Sequence, residues 1–223
     1  MSATSRVTNW VLRRVFQTIC RIDTAAFKQI PRTGPLIIVS NHVNFLEAPV
    51  ILPHLDNPTV TGLAKKESWD NPLFHFLFNQ WGFMPLDRDA IDRDAFRLSI
   101  QVLNEGKILG VAPEGTRSKT GALLPGKPGV AVIALRSGAP MLPMATFGYE
   151  NFWPNLKRLR RTDFHVAVGK PFRLAVEGST LSRDIRQAVT DEIMFKIAEL
   201  LPEKYRGHYA FEGAVEYRYL EPL

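Results

Sequence analysis

The stretch PLIIVSNHVNFLEAP, Pro35 to Pro49, sets the reading of the chain. Its first five residues are apolar and free of charge, the pattern of a strand buried on both faces. The polar run SNHVN follows, and apolar residues resume from Phe45, with Glu47 placed in the first turn of a helix. Strand, loop and helix in that order are the repeating unit of an α/β sheet.

The same alternation extends in both directions. TVTGLA (Thr59 to Ala64), GFMPL (Gly82 to Leu86), ILGVAP (Ile108 to Pro113), PMLPMATF (Pro140 to Phe147) and FHVAV (Phe164 to Val168) read as further short strands. Helices are predicted at Glu47 to His54, Asn71 to Gln80, Asp89 to Glu105, Pro128 to Ser137 and Ser182 to Leu200. Gly106 and Gly138 stand where a helix C-cap glycine belongs, and Ser182 where an N-cap does. The expected fold is one α/β domain, residues 29–223, with a largely parallel central sheet flanked by helices. An amphipathic helix within residues 1–28 precedes it, and there is no internal repeat or low-complexity tract.

That leading helix, from Arg6 to Phe27, places Val7, Val11, Leu12, Val15, Phe16, Ile19 and Ile22 on roughly one half of its wheel. Arg6, Arg13, Arg14, Gln17 and Arg21 lie opposite, with Trp10 among them, and no acid occurs before residue 23. Two readings follow. A basic amphipathic helix with a Trp can lie in an anionic membrane surface, or the helix can simply cover the core. No run reaches the roughly 18 apolar residues of a spanning helix, and the arginines interrupt any signal-peptide pattern. The expected location is therefore peripheral, on the cytoplasmic face of a membrane.

Lys and Arg number 28 against 22 Asp and Glu, a formal charge of +6, which favours anionic partners without choosing among them. No nucleic-acid motif accompanies the charge, so nucleic acid is not an expected partner. Cys20 is the only cysteine, which excludes an intramolecular disulfide and a cysteine-rich metal cluster.

Three constellations at strand ends carry candidate chemistry, because ligands collect at the carboxyl ends of strands in an open α/β sheet. His42 and Glu47 are five residues apart in SNHVNFLEAP. A carboxylate bonded to one imidazole nitrogen leaves the other as a base able to take a proton from an alcohol; alternatively, the pair is structural. In GFMPLDR, Arg88 can clamp a phosphate or pair with Asp87 or Asp89. In APEGTRSKTG, Ala112 to Gly121, Gly115 permits close backbone approach, and Thr116, Arg117, Ser118 and Lys119 offer donors for an anion; a charged hairpin-like loop is the other reading.

Together and in this order these blocks resemble the glycerol-phosphate and 1-acylglycerol-phosphate acyltransferase family, whose blocks read N-H-x-x-x-x-D, G-x-x-x-x-x-R and F-P-E-G-T-R-S. The matching residues are Asn41, His42 and Glu47; Gly82 and Arg88; and Pro113, Glu114, Gly115, Thr116, Arg117 and Ser118. A fourth block, an apolar run with a proline, is matched by Ala139 to Met144. The resemblance implies an O-acyltransferase in phospholipid biosynthesis with no metal or cofactor. His42 is then the base on a lysophospholipid hydroxyl and Glu47 its support. Arg88, with Thr116, Arg117 and the Gly115 backbone, holds the acceptor phosphate, and Glu114 either orders that loop or contacts the acceptor's polar groups. The donor is an acyl thioester of coenzyme A or acyl-carrier protein. Phosphatidic acid from 1-acylglycerol 3-phosphate is the default product.

One departure bears on the chemistry. Glu47 stands where the family has Asp, and one methylene displaces the carboxylate by about 1.5 Å. Misplacement on that scale can cost about a hundredfold in rate, so a catalytically weak lipid-binding homologue is one alternative, and an acyltransferase acting on another lysolipid acceptor is another. A thioester hydrolase is a further one, although no G-x-S-x-G elbow is present. His54, His75, His165 and His208 lack partners at recognisable spacing. Lys157, Arg158, Arg160 and Arg161 form a basic cluster that is either a solvated face or a contact for anionic lipid or an acidic carrier.

Overall fold

The computed structural model describes residues 2–87, 93–176 and 182–223. The central strand β2 (Leu36–Ser40) shows why the strands are uniformly apolar. Leu36 and Ile38 enter one hydrophobic layer while Ile37 and Val39 enter the other, so both faces are covered. The first layer holds α1 (Ala3–Ile19), α2 (Glu47–Leu55), α3 (Pro72–Gln80) and α6 (Phe152–Lys157). The second holds α4 (Arg93–Asn104), α5 (Gly129–Ser137), α7 (Arg183–Ala198) and the C-terminal segment.

The remaining strands are β1 (Cys20–Ile22), β3 (Val60–Lys65), β4 (Met84–Leu86), β5 (Ile108–Val111), β6 (Met141–Phe147), β7 (Thr162–Val168), β8 (Phe172–Leu174) and β9 (Leu220–Pro222). The sheet order is β1-β7-β6-β2-β5-β3-β4, with β8 pairing β6 and β9. Strands β4, β3, β5, β2 and β6 run parallel, while β7 and β8 are antiparallel to β6. Because β2 lies between β5 and β6, the loops leaving β2 and β5 emerge side by side at the carboxyl end of the sheet. This is the α/β architecture expected, with its mostly parallel sheet and leading helix.

The leading helix differs from expectation in length and orientation. It stops at Ile19, because Cys20 is extended and begins β1 against Thr162 of β7. Its docking seam is partly polar. Asn9 accepts from the Trp81 indole at 3.1 Å and donates to Asp56 at 3.3 Å, and Ser5 bonds Gln80. Phe16 is buried beneath it, and Leu12 and Ile19 are partly covered. Val7, Trp10, Val11 and Val15 face outward, so the apolar half of the wheel is divided between core and surface. No described helix is long and apolar enough to cross a membrane.

Short elements were missed for local reasons. Strands β1, β8 and β9 have three residues each, too few to display a period, and α6 has six with Pro154 inside it. Of the helix expected over residues 89–105, residues 89–92 lie outside the described residues.

Candidate active site

The dyad is built by the loop between β2 and α2. Glu47 is the first residue of α2, and its side chain folds back over the four residues that separate it from His42, so that Oε2 meets Nδ1 of His42. Its other oxygen, Oε1, accepts from the backbone amides of Val43 at 2.9 Å and Asn44 at 2.8 Å. The Tyr149 hydroxyl supplies a third donor to Oε1 at 2.6 Å. Four donors therefore fix the carboxylate, and the extra methylene of Glu is taken up by the reach from α2 without separating it from the imidazole. With Nδ1 engaged, Nε2 is the nitrogen left for a substrate proton.

Tyr149 is itself anchored. It is fully buried, stacks on Phe164 at 4.3 Å and shares a 2.8 Å hydrogen bond with the Thr146 hydroxyl. Burial, then the adjacent Glu47 carboxylate, push its hydroxyl well above the usual tyrosine range, so it remains a donor. Asn41 pairs with the backbone of Thr146 in both directions at 2.8 Å, extending the contact between β2 and β6 past Ser40.

The loop after β5 is clamped to the His42 loop. Glu114 is 1% exposed, and its two oxygens accept from the amides of His42 at 2.8 Å and Leu124 at 2.9 Å. Ser118 donates its amide to the carbonyl of His42 at 2.7 Å. Burial pushes the Glu114 carboxyl up to about 7, against the pull of its two amide donors. Gly115 turns with φ of +65°, and a Cβ there would meet the stem of Lys127 at 3.0 Å. Arg117 and Lys127 are both exposed, and neither has a carboxylate partner among the described residues.

A cavity of about 570 Å³ opens beside the dyad, within the range of small-molecule sites. His42, Asn44, Arg117 and Lys127 line it together with apolar side chains from α2, α3 and β3, among them Ile51, Leu55, Val60, Phe74 and Phe78. One cavity thus joins a base, the cations Lys65, Arg117 and Lys127, and an apolar interior.

An acyltransferase family model matches residues 21–146, more than half of the 223 residues and inclusive of the dyad and the loop after β5. The chain belongs to the acyltransferase family. Over 177 residues it is 25% identical to a 1-acyl-sn-glycerol-3-phosphate acyltransferase of Bacillus subtilis, covering 78% of this chain and 84% of that one. A protein of the same name from Cocos nucifera is 33% identical over 141 residues, 61% of this chain and 46% of that one. A chloroplastic one from Brassica napus is 27% identical over 184 residues, 80% and 50%. The chain spans about half the length of these two plant relatives. In fold it is similar to the crystal structure of the 1-acyl-sn-glycerophosphate acyltransferase PlsC from Thermotoga maritima. The TM-score is 0.64 at 24% identity, covering 88% of this chain and 79% of that one.

Within this acyltransferase frame the residues singled out in the sequence divide into groups. His42 and Glu47 are in contact, and Gly115 and Arg117 line the same cavity. Thr116 is exposed on the adjoining turn. Of the two roles open to Glu114, the structure shows loop ordering: both its oxygens accept from backbone amides, those of His42 and Leu124. Arg88 lies outside the described residues. Tyr149, Thr146 and Lys127 were not found from the sequence. Tyr149 is 102 residues from Glu47, beyond any local pattern, whereas Lys127 follows the acyltransferase loop closely in LLPGKPG.

Proposed function

We propose that the chain transfers a fatty acyl group from an acyl thioester to the free hydroxyl of a lysophospholipid, with 1-acylglycerol 3-phosphate as acceptor and phosphatidic acid as product. The observation that carries this reading is the His42–Glu47 dyad at the mouth of an apolar cavity flanked by Arg117 and Lys127. The names of the relatives support the same acceptor.

In this reaction Nε2 of His42 takes the proton of the glycerol hydroxyl as its oxygen attacks the thioester carbonyl carbon. A C–O bond forms, the C–S bond breaks, and the imidazolium returns the proton to the leaving thiolate. Glu47 holds the ring in the required tautomer and offsets its transient positive charge. Arg117 and Lys127, with Arg88 as the family pattern implies, receive the acceptor phosphate. The apolar interior takes an acyl chain. The donor is acyl-coenzyme A or acyl-carrier protein, and the outward stripe of α1 supports work at an anionic membrane surface on its cytoplasmic side.

Incubating the full chain with labelled acyl-coenzyme A or acyl-carrier protein and a panel of lysolipids, followed by mass spectrometry, tests the reading. Labelled phosphatidic acid is expected from lysophosphatidic acid. Acceptor binding without product from either donor would contradict it, as would free fatty acid release that lysolipid does not suppress.

A further inference from the structure

Among the described residues, the exposed large apolar side chains are concentrated in one layer of the molecule. All except Leu223 belong to α1, α3, α6 or the turn that follows α6, on the same face of the sheet. On α3 these are Leu73 and Phe76, and on α6 Trp153. The most exposed of them, Leu159 at 94%, stands at the tip of the turn KRLRR, residues 157–161.

Leu159 is unusual in its backbone as well. Its φ is +53°, in the left-handed region where L-residues other than Asn and Asp are disfavoured. The turn is nevertheless well defined, since the Asn155 carbonyl accepts from the amides of both Arg158 at 3.0 Å and Arg160 at 2.9 Å. A branched apolar residue is thus held in an unfavourable conformation and pointed into solvent, where it gains no packing within the chain. The cations beside it are also unengaged. Lys157, Arg158 and Arg160 are exposed and have no carboxylate partner among the described residues.

The fourth cation fixes the position of the turn. Arg161 donates to the carbonyls of Gln17, at 2.7 Å, and Cys20, fastening the turn to the C-terminal end of α1. On its other side, Trp153 stacks on Phe45 of the dyad loop at 5.6 Å. The turn is therefore fastened to the C-terminal end of α1 and continuous with α6, whose Trp153 packs on the dyad loop.

We infer that this turn is a second membrane contact, in which Leu159 enters the acyl–headgroup boundary of an anionic bilayer while Lys157, Arg158 and Arg160 bind lipid phosphates. An apolar tip ringed by cations matches that boundary, where apolar insertion and attraction to anionic headgroups act together. An acidic protein would engage the cations and leave the leucine without a role. With α1 as the first contact, the two together set the tilt of the domain and turn the cavity mouth toward the lipid that holds the acceptor. The inference deepens the membrane part of the proposed function and rests on it for its choice of partner.

The single native cysteine simplifies the test. Cys20 is fully buried, and burial pushes its thiol up to about 11, so a thiol introduced at the surface is labelled selectively. An environment-sensitive fluorophore is attached to Leu159→Cys and, as control, to Glu212→Cys in the C-terminal segment of the opposite layer. Each full chain is mixed with phosphatidylcholine vesicles containing about one quarter phosphatidylglycerol. The label at 159 should shift to the blue and that at 212 should not. Separately, Leu159→Asn should leave the melting temperature unchanged or raised, because Asn accepts the left-handed conformation. Its vesicle affinity should fall about tenfold with the loss of one inserted leucine.

Vesicle binding with the label at 159 still in water, or Leu159→Asn binding as tightly as the parent, would overturn the inference and leave α1 as the membrane contact. No vesicle binding by the parent would overturn it together with the membrane part of the proposed function. A response of the label to acidic acyl-carrier protein but not to vesicles would assign the turn to a protein partner instead.

Discussion

Replacing Tyr149 with Phe removes the hydroxyl that donates to Glu47 of the dyad and keeps the ring that stacks on Phe164. Glu47 Oε1 then loses the 2.6 Å donor that comes from outside its own loop and retains only the amides of Val43 and Asn44, which move with His42. A hydrogen bond to a charged group contributes roughly 1.5–3 kcal/mol. If the loss appears fully in the transition state, where the imidazolium needs its carboxylate held, the rate falls about ten- to a hundredfold. The tyrosine does not line the cavity, so the effect belongs in kcat, with KM for both substrates nearly unchanged. Steady-state kinetics of Tyr149→Phe in the parent and in a Glu47→Gln background separates a route through Glu47 from a general loosening. The substitution should cost much less once the carboxylate is gone. Full activity in the single variant, or an equal loss in both backgrounds, would refute the reasoning.

Glu47→Asp should stay active and Glu47→Gln should lose much of its rate; equal kcat for Glu and Gln at this position would exclude a charge-dependent role. Glu114 gives a pH signature. Its carboxyl is raised from 4.5 to about 7 in the fold, equivalent to roughly 3 kcal/mol. Its contribution to stability is therefore present below about pH 4.5 and lost as pH rises through about 7. Thermal melts between those limits should show a downward slope in the parent that is flatter in Glu114→Gln; parallel profiles would contradict this. Arg117→Ala and Lys127→Ala should each raise KM for a phosphate-bearing acceptor about tenfold, with smaller effects on kcat. Loss confined to kcat would remove them from the acceptor site.

Much of the fold was legible because burial on both faces makes each central strand a short uncharged run, and β2, β5 and β6 have that composition. The end of α1 was not, since Ile19 and Ile22 are spaced as a helix would space them and only the partner strand β7 makes residues 20–22 extended. At the site, the pairing of His42 with Glu47 follows from local spacing. What holds Glu47 does not: Tyr149 reaches it only because β6 lies beside β2. Glu114 shows the opposite difficulty. Its motif marks it as chemically important, but only the packing of two loops reveals that its oxygens serve backbone amides. The division of α1 between a buried seam and an outward apolar stripe also depends on partners distant in sequence, Asp56, Gln80 and Trp81.

The most direct test is single-turnover acyl transfer to lysophosphatidic acid by the parent and by His42→Ala, with circular dichroism confirming that both are folded. Labelled phosphatidic acid is expected from the parent, with a rate lower by about 10²–10⁴-fold in the variant, the usual contribution of a positioned base. Turnover in His42→Ala equal to that of the parent would contradict that role.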